Sequence, residues 1–370
     1  MNCITSQNNR KPKSIIFLFL FLLSYACQEK TEEYICPPCD LPCDKITFTT
    51  SGTCPHCNMK LMKKSELMEE SNLTINEVTI KTGSGVFLME GGQGKKEKSI
   101  KVYYHQPKNY TKNSKVLIVL PGAGRNGDSY RDAWVEIAEK YSVLVLSPMY
   151  SERDYPFEAY HLGGLIKDSN IRETVEFVAG TNIARLNETA FKFDLNKDRS
   201  DWLFNDLDRL FNLVTDHIKT DQTQYDVFGH SAGGQILHRL AIFYPSSKVN
   251  QIIAANAGFY TLPDLETTLP FGVKNTTIDT QYLQFSFTKN LTLLIGELDN
   301  EQEQGGTLLR SVSADKQGIH RLARGQFFYD FSKNVAEEMK ASYNWKIKMV
   351  PNVGHDHEKM GKAAARLLYD

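Results

Sequence analysis

From Ser99 onward the chain alternates between two hydrophobic periods. Val116–Leu120 and residues 143–146 are unbroken apolar runs, the pattern of strands buried on both faces. Residues 101–105, 225–228, 252–255, 291–295 and 346–350 complete a set of short strands. Between them the apolar positions recur at helical spacing. Trp134, Ile137 and Ala138 share one side of residues 130–141. Leu203, Leu207, Leu210, Phe211 and Val214 share one face of residues 202–219. Residues 235–244 read as a helix stopped by Pro245, and residues 361–368 as the last helix. Strands alternating with helices predict an α/β fold with a mostly parallel central sheet flanked by helices and joined by right-handed crossovers. Residues 75–87 predict an antiparallel hairpin at its edge. No internal repeat is visible.

The N-terminus follows another pattern. Arg10, Lys11 and Lys13 precede the apolar run 15–23, and Ser24, Tyr25, Ala26 and Cys27 follow. This is the order of a secretory signal peptide over residues 1–26. The run is too short for a membrane-spanning helix, which takes about 20 residues. With Cys27 directly after Ala26, the segment resembles a bacterial lipoprotein signal, although Ser24 stands where leucine is usual. That resemblance implies lipidation of Cys27, residues 27–33 as a tether, and a place in the cell envelope. The alternative is an ordinary signal peptide with Cys27 unmodified.

All seven cysteines fall at or before Cys57. The bulk of the chain therefore folds without disulfides, and the cysteines belong to a separate module over residues 34–64. Cys36-Pro-Pro-Cys39 and Cys54-Pro-His-Cys57 are two knuckles whose separation is close to that of four-cysteine zinc sites. Each tight turn presents two thiolates, and two such turns close a tetrahedral shell. A segment this short has too little core to fold alone, so a structural zinc or other heavy metal supplies the missing stability. The strings around both knuckles also resemble the small heavy-metal-binding domain appended to some bacterial secreted proteins. Two other readings stay open. An oxidising compartment permits disulfides, and Cys-Pro-His-Cys also occurs in thioredoxin-like oxidases, which need a longer fold around it.

The chain has 370 residues, 41% hydrophobic and 24% charged, with a formal charge of −1. These values fit a large packed domain and exclude global disorder. The charge balance excludes a dedicated nucleic-acid binder. One short apolar run excludes a multi-span membrane protein.

Gly229-His230-Ser231-Ala232-Gly233 has the form Gly-x-Ser-x-Gly, after the strand 225–228 and before the helix 235–244. In that setting the serine sits on a sharp turn at a helix N-terminus. A serine hydroxyl needs a base and the base needs a carboxylate. Among nine histidines, His355 directly follows the last strand; His357 ranks second, and His230 is read as structural. Asp299 lies just past the preceding strand, with Glu297 its nearest competitor. Loops at the carboxyl ends of parallel strands converge on one edge, so Ser231, Asp299 and His355 are expected together as the catalytic set. Ala232 and Ala123, in the loop Pro121-Gly122-Ala123-Gly124, are the expected amide donors of an oxyanion hole. Residues 259–279 interrupt the rhythm and form a candidate cap, and Tyr150, Tyr155, Phe157, Tyr160 and His161 read first as core and second as pocket lining.

These strings, with Ala255-Asn-Ala-Gly-Phe-Tyr and Val353-Gly-His-Asp, resemble the secreted polyhydroxyalkanoate-depolymerase-like esterases of the α/β-hydrolase fold over residues 99–370. One departure is Pro121-Gly122 where that group has His-Gly. The resemblance implies a serine esterase acting on a small or polymeric ester through an acyl-enzyme, with no cofactor for catalysis. Residues 65–98 then form a linker and edge hairpin. The alternatives are a metal-binding envelope protein with the hydrolase domain as scaffold, and a serine peptidase.

Overall fold

The apolar runs line up as one eight-stranded sheet. In chain order its strands are β1 (Gly83–Met89), β2 (Ile100–Gln106), β3 (Val116–Leu120), β4 (Leu144–Met149), β5 (Tyr225–His230), β6 (Val249–Ala255), β7 (Leu291–Gly296) and β8 (Lys346–Val350). A computed structural model describes residues 32–35, 46–55, 61–64, 73–92, 95–246 and 248–370. The spatial order is β8-β7-β6-β5-β3-β4-β2-β1. The six strands β3 to β8 are parallel, and β2 and β1 add an antiparallel edge. In register, Leu120 lies opposite Gly229, His230 opposite Ala255, and Gly296 opposite Val350. The carboxyl ends of β3, β5, β6, β7 and β8 therefore share one edge.

Alternate residues of each strand feed two cores. Val116, Ile118 and Leu120 face a core with Leu203, Leu207, Leu210 and Val214 of the amphipathic helix Leu203–His217. Leu117 and Val119 face another with Trp134, Ile137, Met360 and Ala364. This side-by-side division is what period-two strands impose on a sheet covered by helices on both faces. The helix Ala232–Phe243 is buried along its whole length.

The expected helix over 130–141 is two shorter ones, Gly127–Ala133 and Val135–Tyr141, meeting at Trp134. The last helix begins at His357, because the Asp356 side chain caps it by accepting from the N–H groups of Glu358 and Lys359. At the edge, β1 pairs with β2 over its full length, and Ile75 only bridges to Leu88. Tyr150, Tyr155 and Tyr160 are core, and residues 259–279 bury Tyr260, Phe271 and Val273. The sequence pattern left several features unmarked, two of which bear on the site. They are a small sheet of Val175–Phe177, Ile183–Leu186 and Leu308–Arg310, and an 18-residue helix, Arg321–Glu338.

The chain divides into two compact units, Met1–Ser71 and Asn72–Asp370. In the first, the two-residue strands Tyr34–Ile35, Thr47–Phe48 and Met62–Lys63 pair antiparallel with Tyr34–Ile35 in the middle. Its buried apolar side chains among the described residues are Ile35, Cys54 and Leu61. No helix of the described residues is long and apolar enough to cross a membrane.

Candidate active site

Ser231 stands where β5 ends and the helix Ala232–Phe243 begins, with φ of 57°. A non-glycine residue in the left-handed region is strained, and here the strain lifts its side chain off the sheet edge. The turn closes because Gly229 and Gly233 lie backbone to backbone: a Cβ on Gly229 would stand 2.5 Å from the Gly233 carbonyl carbon. The serine N–H is held by Ala255 O at 2.9 Å.

Two strands away, Asp299 follows β7 and is fully buried. Its Oδ2 accepts a 2.8 Å hydrogen bond from His355 Nδ1. A carboxylate only accepts, so Nδ1 carries the proton and Nε2 is left as the basic nitrogen. The His355 side chain is 5% exposed. Burial pushes its pKa below the usual imidazole range; the Asp299 bond pulls it back up, and the nearby Arg321 guanidinium pushes it down. The His355 ring lies 4.5 Å from that of His230, the residue before the serine. The edge therefore gathers Ser231, His355 and Asp299.

The competitors have other partners. Glu297 accepts from Asn352 N–H at 3.1 Å and so fixes the turn ahead of His355. His357 stacks on Tyr130 at 4.4 Å. His230 is buried, its Nδ1 3.1 Å from the Tyr130 hydroxyl. Burial lowers the pKa of both histidines.

The loop after β3 is pinned on both sides of Ala123. Tyr160 donates to Pro121 O at 2.7 Å, and Arg125 N–H to Gly122 O at 3.1 Å. Burial pushes the Tyr130 pKa up, so its hydroxyl stays protonated beside this loop. Ala123 sits exposed in the turn. Gly122 also borders the serine: a Cβ there would be 3.4 Å from Ser231 Cβ. Ala232 is the first residue of its helix, where an N–H has no intrahelical partner. A serine at a strained strand-to-helix corner, on the sheet edge that also carries a histidine bonded to a buried carboxylate, is an arrangement that acyl transfer can use.

Sequence reasoning missed Arg321 and Glu303. Arg321 Nη1 donates to Asp299 Oδ1 at 3.0 Å, and Glu303 Oε2 accepts from His355 N–H at 2.7 Å. Neither lies in a recognisable motif.

Of the expected metal ligands, Cys54 is described and buried. Cys36, Cys39 and Cys57, like Cys27, lie outside the described residues. Among the described residues no group of three or more His, Cys, Asp or Glu side chains is disposed to hold a metal ion.

No family model and no curated protein matches the chain. Among solved structures it is 34% identical to poly(aspartic acid) hydrolase-1 from Sphingomonas sp. KT-1, over 79% of this chain and 100% of that one, with a TM-score of 0.67. It is 26% identical to LpqC, a poly(3-hydroxybutyrate) depolymerase from Bordetella parapertussis, over 78% and 91% of the two chains, with a TM-score of 0.66.

Proposed function

Because the chain belongs to the α/β-hydrolase family of poly(aspartic acid) hydrolase-1, we propose that it is a serine carboxylic-ester hydrolase acting through Ser231, His355 and Asp299. The observation that carries this reading is the 2.8 Å bond between His355 Nδ1 and buried Asp299, on the sheet edge that also holds Ser231 at its strained corner. Ser231 Oγ attacks the ester carbonyl as His355 Nε2 takes its proton. The oxyanion accepts from the N–H groups of Ala123 and Ala232. The carbon–oxygen bond to the alcohol then breaks, and the imidazolium returns the proton to the leaving oxygen. Water repeats the cycle on the acyl-enzyme and releases the acid.

The substrate is a small or polymeric ester; the poly(3-hydroxybutyrate) depolymerase among the similar structures supports the polymeric case. A second reading, amide cleavage, is favoured by the relative named for poly(aspartic acid), whose units are joined by amide bonds. Against an idle hydrolase scaffold in a metal-binding envelope protein speaks the bonded pair His355–Asp299 on the sheet edge where Ser231 ends β5.

The N-terminal readings belong to the same proposal. The basic, apolar and small-residue order before Cys27 supports export and lipid anchoring. The spacing of Cys36, Cys39, Cys54 and Cys57 supports a structural zinc, and the few buried apolar side chains among that unit's described residues support its need for one.

Labelling by a fluorophosphonate probe and turnover on a panel of esters, poly(3-hydroxybutyrate) and poly(aspartic acid) test the enzyme. Ser231→Ala is expected to abolish labelling and to lower turnover by about a thousand-fold or more. Labelling that survives this change overturns the assignment.

A further inference from the structure

Arg321 is 2% exposed and makes its contacts with one planar head. Nη1 donates to Asp299 Oδ1 at 3.0 Å, and Nη2 to the carbonyls of Gly306 at 2.8 Å and Thr307 at 3.0 Å. The first contact occupies the carboxylate oxygen that His355 does not use. The second holds a loop that lies against the other side of the same imidazole: at Gly306, with φ of 62°, a Cβ would stand 2.6 Å from His355 Nε2. Between these ends Glu303 accepts from the N–H groups of His355, at 2.7 Å, and Gly305, at 2.6 Å. The segment from Asp299 to Thr307 thus makes a collar around the histidine, and Arg321 ties its two ends together. The helix that carries Arg321 also docks on the collar, with Leu322 N–H on Asp299 O at 2.9 Å.

We propose that Arg321 is a positioning residue for the general base: it fixes the Asp299 carboxylate and the Gly306 loop at once, and so sets both the orientation and the working pH range of His355. The proposal rests on the assignment of His355 as the base.

The geometry has an electrostatic corollary. The charged and titratable groups that face His355 are Asp299 and Glu303 from the collar, Arg321 from its helix, His230 from β5 and His357 from the last helix. His230 and His357 are held toward the neutral form by burial. Arg321 is the fixed cation of the set, and it opposes a second positive charge on the imidazole. Replacing it by a neutral group therefore raises the pKa of His355. The free base then forms only at higher pH, and the acid limb of kcat/KM moves upward.

The test is the pH dependence of kcat/KM and kcat for p-nitrophenyl butyrate, with thermal unfolding followed alongside. Arg321→Gln is expected to move the acid midpoint up by about half a unit or more and to lower kcat about ten-fold. Arg321→Lys keeps the charge but cannot span three acceptors with one ammonium. It is expected to keep the wild-type midpoint while kcat falls. An unmoved midpoint in Arg321→Gln, or a wild-type kcat in Arg321→Lys, overturns the proposal. Should Arg321→Gln not fold, the kcat of Arg321→Lys decides alone. Ser231→Ala separates the two readings. Turnover that survives in it removes the serine mechanism itself. Its loss, beside an unmoved Arg321→Gln profile, removes the role of Arg321 alone.

Discussion

His355 and His357 lie two positions apart, and the environment of each decides what it can do. His355 points Nδ1 at a buried carboxylate, which keeps the proton on that nitrogen and the basic lone pair on the other. His357 starts a helix, and its ring is spent on stacking with Tyr130. Its Nε2 is buried without a partner. The nearness of His355 to Asp299 was legible because loops directly after parallel strands meet at one edge of the sheet. Asp299 was legible for the same reason. Arg321 was not, since a guanidinium that acts through a carboxylate needs no fixed distance in sequence and leaves no motif. His355→Ala is expected to lower kcat about a thousand-fold with little change in unfolding temperature. His357→Ala is expected to stay within about ten-fold in kcat and to show its effect in thermal stability. The reverse order in kcat would move the base to His357.

Periodicity recovers elements whose buried face is apolar and loses those whose buried face is polar. Each sheet strand beyond the first was found from its apolar residues, as was the helix Leu203–His217. Arg321–Glu338 was not, although its buried positions, Arg321, Arg324, Gly325, Phe328, Ser332 and Ala336, keep helical spacing. Arginine, glycine and serine on the inner face erase the apolar stripe that the method reads. The buried Arg324 guanidinium is satisfied by hydrogen bonds instead: it donates to Gly318 O at 2.8 Å and to Gly258 O at 2.6 Å. The helix Ala232–Phe243 fails the other way. After Ala232 it runs through Gly233 and Gly234, poor helix formers by propensity, because close packing on the sheet overrides propensity. A Cβ on Gly234 would collide with Ala255 O of β6. Gly234→Ala should therefore destabilise the fold by about 1–3 kcal/mol, as overpacking against backbone does, and tilt the serine away from its donors. Urea unfolding with assay of the still-folded enzyme measures both effects. An unchanged midpoint with full activity would mean that the helix yields without moving the serine.

At the scale of the molecule, the two units differ in what can hold them together. The unit Asn72–Asp370 contains the whole eight-stranded sheet, both cores and every group assigned to the chemistry. Its N-terminal limit is set by bonds rather than by the first strand. Asn76 N–H donates to Leu88 O at 2.8 Å, the Asn76 side chain accepts from Glu90 N–H at 3.0 Å, and Val78 is buried in the core. Tyr104 also donates to Thr79 O at 3.2 Å. A chain beginning at Glu66 keeps all of these, and one beginning at Gly83 loses them. The described residues of the first unit have two-residue strands and few buried apolar side chains, too little area at roughly 25 cal/mol per Å² to offset the entropy of ordering them. Four thiolates on one zinc would supply the difference. The expected outcome is that the chain from Glu66 melts at the temperature of the larger unit in the intact protein, turns over esters at the wild-type rate and binds no zinc. The chain from Gly83 melts lower. The intact protein, purified under reducing conditions, carries one zinc per chain by elemental analysis, and Cys36→Ser together with Cys39→Ser removes it without lowering turnover. Loss of turnover on truncation at Glu66 would make the cysteine unit a part of the enzyme. Intact protein free of zinc, with its cysteines paired in material taken from the envelope, would replace the metal by disulfides.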